Sequence, residues 1–333
     1  MGKTIIVTGG CGYIGSHVAR AFKQDNDNNR VVIIDREYRP HTLKDIDGFQ
    51  RADFASDPAL SFMLMEEPDV IVHCAGTSLV GPSMLNPGEY YDNNISKTIK
   101  MLNVVKNMSK KPLIMFSSSA SVYGVPEFFP VDEDAAVQPI SPYGNTKAMT
   151  ETILKDYARA YKINSVVFRY FNAAGAMPVT YDLGQEPNAT HIVARILEAS
   201  INDSDFTMYG SDYDTPDGSC IRDYVHVWDI ALAHVRASHY FKQPGIGQSV
   251  VYNLGTAKGT SNFDIVKYVT EKYGLKGLMV QGRREGDPDR LVASYERART
   301  DLGWTPVNSD IRNIIDSAYK WYTRNTETVD ATV

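Results

Sequence analysis

The stretch that most constrains this chain lies at its start. Thr4–Thr8 is a short apolar run rich in β-branched residues, the pattern of a strand buried on both faces. Gly9-Gly10-Cys11-Gly12-Tyr13-Ile14-Gly15 follows it, and residues 13–23 then show helical periodicity. A strand, a glycine-rich turn and a helix in that order open a β-α-β unit. The glycines let the backbone turn tightly and come close to a ligand, while the helix N-terminus offers free N–H groups to an anion. Asp35 ends the next apolar run, residues 31–34, at about the 20-residue distance beyond the last glycine where dinucleotide-binding units keep a ribose-binding carboxylate. Strand, glycines, helix and acid agree, so the sequence predicts a dinucleotide site on Gly9, Gly12, Gly15 and Asp35.

Asp35 favours NAD over NADP, because a carboxylate repels a ribose phosphate; Arg36 beside it softens that preference. Asp53-Phe54, on a later turn, lies within reach of an adenine. Further apolar runs at 70–73, 113–116 and 166–170 alternate with helical stretches, the longest being Pro142–Tyr161. Repetition of this kind predicts an α/β fold with a doubly wound parallel Rossmann sheet, which takes ligands at the carboxyl ends of its strands. After residue 175 the elements shorten, and Pro, Gly, Asn and Asp crowd 178–187 and 210–218. We therefore expect an NAD-binding domain over 1–175 and a second, smaller α/β substrate lobe over 176–326, with 225–241 packing back on the first. The tail after Thr326 reads as frayed.

Composition narrows the partners. The net charge is −6 with both signs dispersed, which argues against nucleic acid, whose phosphates need clustered Lys and Arg. Cys11, Cys74 and Cys220 are far apart and odd in number. That pattern fits a reducing compartment and offers neither a disulfide framework nor a zinc site. The histidines lack metal-ligand spacing, so no metal is expected. Ile5-Ile6-Val7 is too short for a signal peptide or a membrane span. The expectation is a cytoplasmic protein with no membrane partner.

Tyr143 and Lys147 are four apart on the helix Pro142–Tyr161, hence on one face. A tyrosine titrates near about pH 10, and a neighbouring ammonium favours its phenolate. The pair can take a proton from a sugar hydroxyl while hydride leaves the same carbon. Tyr268 and Lys272 share the spacing but look like an ordinary solvated helix face. Tyr143 differs by context: Ser117-Ser118-Ser119 follows the strand at 113–116, so these hydroxyls stand at a carboxyl end of the sheet. Asp132, Glu133 and Asp134 look like a solvated loop.

These motifs resemble one family. Gly-Gly-Cys-Gly-Tyr-Ile-Gly-Ser-His from Gly9, Asp35, Tyr90-Tyr91-Asp92-Asn93-Asn94, the segment from Ser117 to Gly124, Ser141-Pro142-Tyr143-Gly144-Asn145-Thr146-Lys147, Arg169-Tyr170-Phe171-Asn172, Arg222-Asp223-Tyr224-Val225-His226-Val227 and Arg283-Arg284-Glu285-Gly286-Asp287 run in order along the chain. Together they are similar to the UDP-glucose 4-epimerase family of extended short-chain dehydrogenases/reductases. The resemblance implies an isomerase of galactose metabolism that holds NAD and a UDP-sugar. It implies Tyr143 as base, Lys147 on the nicotinamide ribose, and Ser119 assisting proton transfer. It further implies cofactor contacts from Tyr13, Ile14, Ala75, Asn93, Ser117 and Tyr170. On the substrate side it implies Asn172, His191, Ile192 and Tyr209, with Arg222 and Arg284 on the diphosphate, Asp287 near the uridine ribose and Leu291 beside the sugar. A homodimer through the helices at 88–108 and 142–161 is also implied.

Three departures stand out. Ser78 occupies a position where a lysine grips the nicotinamide side in some members. Leu291 stands where well-known members have Tyr or Cys, leaving N-acetylated UDP-sugars open as substrates. Arg36-Glu37, rather than Asn, follows Asp35. Dehydratases of the same fold carry Asp-Glu after the catalytic hydroxyl, whereas Ala120-Ser121 follows Ser119 here. A UDP-glucuronate decarboxylase and a non-catalytic NAD sensor are the other rivals, but sensors tend to lose the Tyr–Lys pair.

Overall fold

The computed structural model describes residues 2–187, 189–241, 246–283 and 287–324. Six strands carry the first part of the chain: β1 (Thr4–Thr8), β2 (Arg30–Asp35), β3 (Gly48–Arg51), β4 (Val70–His73), β5 (Leu113–Ser119) and β6 (Ser165–Tyr170). With β10 (Ser249–Leu254) they form one parallel sheet in the order β10-β6-β5-β4-β1-β2-β3. Alternate residues go to opposite faces. Ile5, Val7, Val31, Ile33, Val70 and Val72 join one core with α1 (Tyr13–Asp25). Ile6, Val32, Ile34, Ile71, Ile114 and Phe116 join another, under α2 (Asp57–Glu66), α5 (Lys97–Val105) and α6 (Pro142–Tyr161). Two short helices, α3 (Val80–Leu85) and α4 (Pro87–Tyr91), lie between β4 and α5. The order reverses between β1 and β4, which opens a crevice at their carboxyl ends.

The second lobe contains β7 (Asn172–Ala174), β8 (Asp205–Tyr209), β9 (Ile221–His226), β11 (Gly259–Ser261), β12 (Gly277–Gln281) and β13 (Arg290–Leu291), with β9 paired to β7, β11 and β13. Its core joins α8 (Ile192–Ile201), α10 (Asn262–Tyr273) and α12 (Ile311–Thr323) through Val193, Ile196, Leu197, Ile265, Val269, Ile314 and Ile315. The short α7 (Pro178–Tyr181) links the lobes' sequences. Among the described residues no helix is long and apolar enough to cross a membrane.

Past residue 175, parts of the chain return to the first sheet. Helix α9 (Val227–Tyr240) packs on α1, and its Ile230, Ala231, Ala233 and Val235 enter the first sheet's core. The strand β10 then pairs with β6, and α11 (Glu296–Leu302) covers it, with Trp304 Nε1 donating to the Asp229 carbonyl at 2.7 Å. The short apolar run Ser-Val-Val-Tyr-Asn-Leu does not announce its sheet, because strand pairing is long-range. The tail after Thr326 lies outside the described residues.

Candidate active site

A cavity of about 690 Å³ lies along the carboxyl ends of the first sheet and reaches the second lobe. Gly9, Gly12, Tyr13, Ile14, Gly15, Asp35, Asp53, Phe54, Ala75 and Asn93 line one end. Gly9 has φ +70, and a Cβ there would meet Ala75 N at 2.7 Å. A Cβ on Gly15 would stand 2.3 Å from the Gly9 carbonyl oxygen. Gly12 caps α1 without any side-chain acceptor, so the helix's first amides stay open to an anion. Asp35 takes hydrogen bonds from Cys11 N at 2.9 Å and Glu37 N at 3.0 Å, which fixes the carboxylate and leaves lone pairs for a ribose. These residues fit a dinucleotide: the backbone turn has no room for side chains, and the acid is held in place. Gly15→Ala is expected to lose bound NAD and to cost about 1–3 kcal/mol from overpacking. NAD extracted per protomer and a urea melt check this.

Asp53 is held by Lys97 at 2.8 Å, and Lys97 also donates to Asn93 Oδ1 at 2.7 Å. Asn93 sits in a π-helical turn, Asp92–Ser96, a form frequent at functional sites. That turn aims Asn94 inward, where its amide donates to Thr146 Oγ1 at 2.9 Å and accepts from Thr77 N at 2.9 Å. Asn94 thereby ties the loop after β4 to α6. The sequence held the signal, since Asn94 belongs to the quoted motif, but did not say which asparagine faces where.

The other end gathers Tyr143, Lys147 and Ser119. Ser141 caps α6, accepting from Gly144 N at 3.1 Å, and Pro142 opens the helix. Gly144 lets the helix approach closely, because a Cβ there would stand 2.7 Å from the Ser121 carbonyl. Tyr143 is thus set near Ser119, whose hydroxyl draws the phenol's pKa down. Ser119 in turn accepts from Ser121 N at 3.2 Å and Ser121 Oγ at 3.0 Å, which leaves its own proton to donate. Ser121 was not singled out in the sequence. Strand β5 runs on through Ser119, so the three serines extend the strand; pairing with β6 holds Ser117–Ser119 beside Phe168, Arg169 and Tyr170.

Lys147 lies 5.6 Å from the centre of the Tyr143 ring and donates to the Ser117 carbonyl at 2.8 Å. Burial lowers its pKa to about 8, against the pull of Cys74 and Glu151. Burial also pushes the Tyr143 phenol up to about 12; Ser119 draws it back and Tyr90 adds to the rise. The protein alone therefore keeps Tyr143 neutral, and the sequence-based expectation that Lys147 favours the phenolate has to overcome that burial. Beneath this wall lies a buried pair: Glu151, one turn after Lys147, holds Arg169 at 2.6 Å and accepts from Ser118 at 2.5 Å. Arg169 also donates to Tyr123, which reaches Asn253 on β10. Glu133 is buried in this network, accepting from Asn253 N at 2.8 Å, and is not part of a solvated loop like Asp132 and Asp134. Only the fold brings β10 to it.

Asn172, His191, Arg222, Asp287 and Leu291 line the second-lobe side, and Ser117 and Tyr170 complete the first. Arg222 is buried and paired with Asp287 at 2.5 Å, and Tyr213 also donates to that carboxylate at 3.3 Å. Leu291 packs on the cluster of Val122, Tyr123 and Phe171. Two expected substrate residues do not line the cavity: Ile192 opens α8 and packs on the second-lobe core, and Tyr209 ends β8. Neighbouring Thr190 and Gln185 line it instead, a local choice of backbone that spacing cannot reveal. Arg284 lies outside the described residues. Cys74 and Ser78 also face the cavity, Cys74 with its thiol raised to about 11 by burial, whereas Tyr268 and Lys272 join Asp316 on the surface.

Comparison with known proteins gives the same picture. The pattern of the NAD dependent epimerase/dehydratase family matches residues 5–255. A UDP-glucose 4-epimerase of Streptococcus mutans is 40% identical over 325 residues, spanning 96% of each chain. The crystal structure of a Brucella ovis UDP-glucose 4-epimerase in complex with NAD is 36% identical, covers 95% of this chain and 97% of that one, and superposes with a TM-score of 0.89. A Bifidobacterium longum UDP-glucose 4-epimerase solved with NAD+ and UDP is 32% identical with a TM-score of 0.87, over 97% of this chain and 99% of that one. On motif order, sheet topology and likeness over nearly the whole length, this chain belongs to the NAD dependent epimerase/dehydratase family.

Proposed function

We propose that this protein is a UDP-glucose 4-epimerase that interconverts UDP-galactose and UDP-glucose through a 4-keto sugar while keeping its NAD. The observation that carries the reading is the placement of Tyr143, Ser119 and Lys147 on one wall of a cavity whose far end is the glycine turn and Asp35. When bound, NAD supplies the acceptor and donor of hydride at the sugar's C4. Tyr143 takes the O4 proton as that hydrogen leaves, and Ser119 hydrogen-bonds the phenol oxygen as charge develops. Tyr143 returns the proton after the keto sugar has turned its other face. Arg222 and Arg284 hold the diphosphate through the turn, guanidiniums being suited to such oxygens. Asn172, His191 and Asp287 complete the substrate contacts.

Three free cysteines fit a cytoplasmic setting. Association as a homodimer is supported by exposed Met84, Leu85, Tyr91 and Met149 on and beside the helices at 88–108 and 142–161. Purified protein given UDP-galactose without added NAD is expected to form UDP-glucose. No conversion, even with NAD supplied, overturns the proposal. Leu291 bears on sugar range: Leu291→Tyr is expected to lower kcat/KM for UDP-N-acetylgalactosamine relative to UDP-galactose by about tenfold, the scale of steric discrimination in an apolar pocket. Equal effects on both substrates would remove Leu291 from the sugar subsite.

A further inference from the structure

Beside Lys147 runs a buried hydrogen-bond chain whose proton order can be worked out. Tyr170 ends β6 and lines the cavity. Its hydroxyl lies 2.9 Å from Ser117 Oγ and 2.9 Å from His234 Nε2. His234 comes from α9, in the part of the chain that returns to the first lobe, and is 0% exposed. Its Nδ1 stands 2.9 Å from the Ile230 carbonyl oxygen. A carbonyl only accepts, so Nδ1 carries a proton. Burial lowers the His234 pKa to about 4, so the ring is neutral near pH 7 and Nε2 holds a lone pair. That lone pair can only accept, and the Tyr170 O–H donates to it. The single proton of Tyr170 is then committed away from the cavity, and its oxygen offers lone pairs to a ligand and to Ser117, whose hydroxyl also reaches Cys74 Sγ at 3.1 Å. Ser117 is the residue whose carbonyl receives Lys147.

We propose that His234 is a positioning residue for the cofactor: by accepting the hydrogen bond of the Tyr170 O–H it makes the Tyr170 oxygen a fixed acceptor at the catalytic end of the cavity. The donor that such an acceptor selects is an amide N–H, the group carried by the cofactor's carboxamide. This rests on the reading that the cavity holds NAD with Tyr170 among its contacts. Without His234 the Tyr170 hydroxyl is free to rotate and to donate to Ser117, and its acceptor direction is lost. A purely space-filling role differs in kind. His234 packs 4.5 Å from the Phe168 ring centre, and an apolar side chain of similar volume would serve that packing equally well.

Two measurements test the proposal. In the unmutated, 15N-labelled protein, long-range 1H–15N shifts of His234 are expected to report a protonated Nδ1 and a bare Nε2. A protonated Nε2 overturns the proposal whatever the variants do. The second measurement is NAD release from the purified protein. Tyr170→Phe and His234→Leu are each expected to speed release by about tenfold, the factor that goes with one well-aligned hydrogen bond. His234→Gln, whose side-chain oxygen can accept, restores slow release in part. The double variant is expected to be no faster than Tyr170→Phe alone, because His234 acts through Tyr170. Wild-type release from His234→Leu, or additive effects in the double variant, overturns the positioning role while leaving the cofactor reading intact. Failure of every form to bind NAD overturns the cofactor reading itself. Should His234→Leu not fold, the shifts of the unmutated protein decide.

Discussion

Tyr143→Phe is expected to lower kcat for UDP-galactose by about 10²–10⁴-fold, the contribution of a positioned general acid–base group. Bound NAD and the thermal midpoint are expected to stay near those of the parent, because phenylalanine fills the same buried site and only a hydroxyl is lost. The sign of the pH dependence follows from the site. Burial holds Tyr143 as a phenol, with its pKa at about 12. The base is the phenolate, so kcat/KM rises with pH. Lys147→Met removes the ammonium 5.6 Å from the centre of that ring. Its loss favours the neutral phenol further and moves the rising limb to higher pH. A pH–rate profile of parent and Lys147→Met checks this. Tyr143→Phe retaining activity within about threefold would place the proton transfer elsewhere, since so small a loss is below what a general base contributes.

Acid is expected to unfold the protein steeply. Burial lowers four histidines, His17 and His234 to about 4 and His73 and His226 to about 3, while Lys147 adds to the shift at His73 and His17 to that at His226. In the unfolded chain each titrates near about 6.5. Because the folded values lie below the unfolded ones, unfolding takes up protons between these limits, and stability falls as pH drops below about 6.5. Asp223 works the other way: burial raises it to about 6, against its bonds from Thr256, Ala293 and Ala257. Glu133 and Asp229 are raised by burial as well. The four lowered histidines outnumber the three raised acids, so unfolding takes up protons on balance near pH 5 and stability falls with pH there. The urea midpoint measured from pH 7 to pH 5 reads this directly; a midpoint independent of pH would mean that the histidines are not neutral and buried together.

The sequence made the first lobe's frame legible because its signals are local. Strand β1, the glycine turn and α1 lie within 25 residues, so spacing and periodicity alone specify them. The helix Pro142–Tyr161 matches its expected bounds, since Ser141 and Pro142 are start signals that act within one turn. Tyr143 and Lys147 fall on one face by helical geometry. Glu133 failed the same treatment: an acid between two acids reads as solvated until β10 arrives from more than a hundred residues away to bury it. No local pattern ties His234 to Tyr170, because the two stand on different elements. By itself, then, the sequence determined the dinucleotide turn, the parallel sheet and the Tyr–Lys pair, each encoded by residues a few positions apart. Tertiary structure alone decided that β10 returns to the first lobe, that Arg222 meets Asp287, and that Ser121 meets Ser119 and His234 meets Tyr170. Those contacts join distant parts of the chain, and their free energy comes from burial and pairing that no local pattern records.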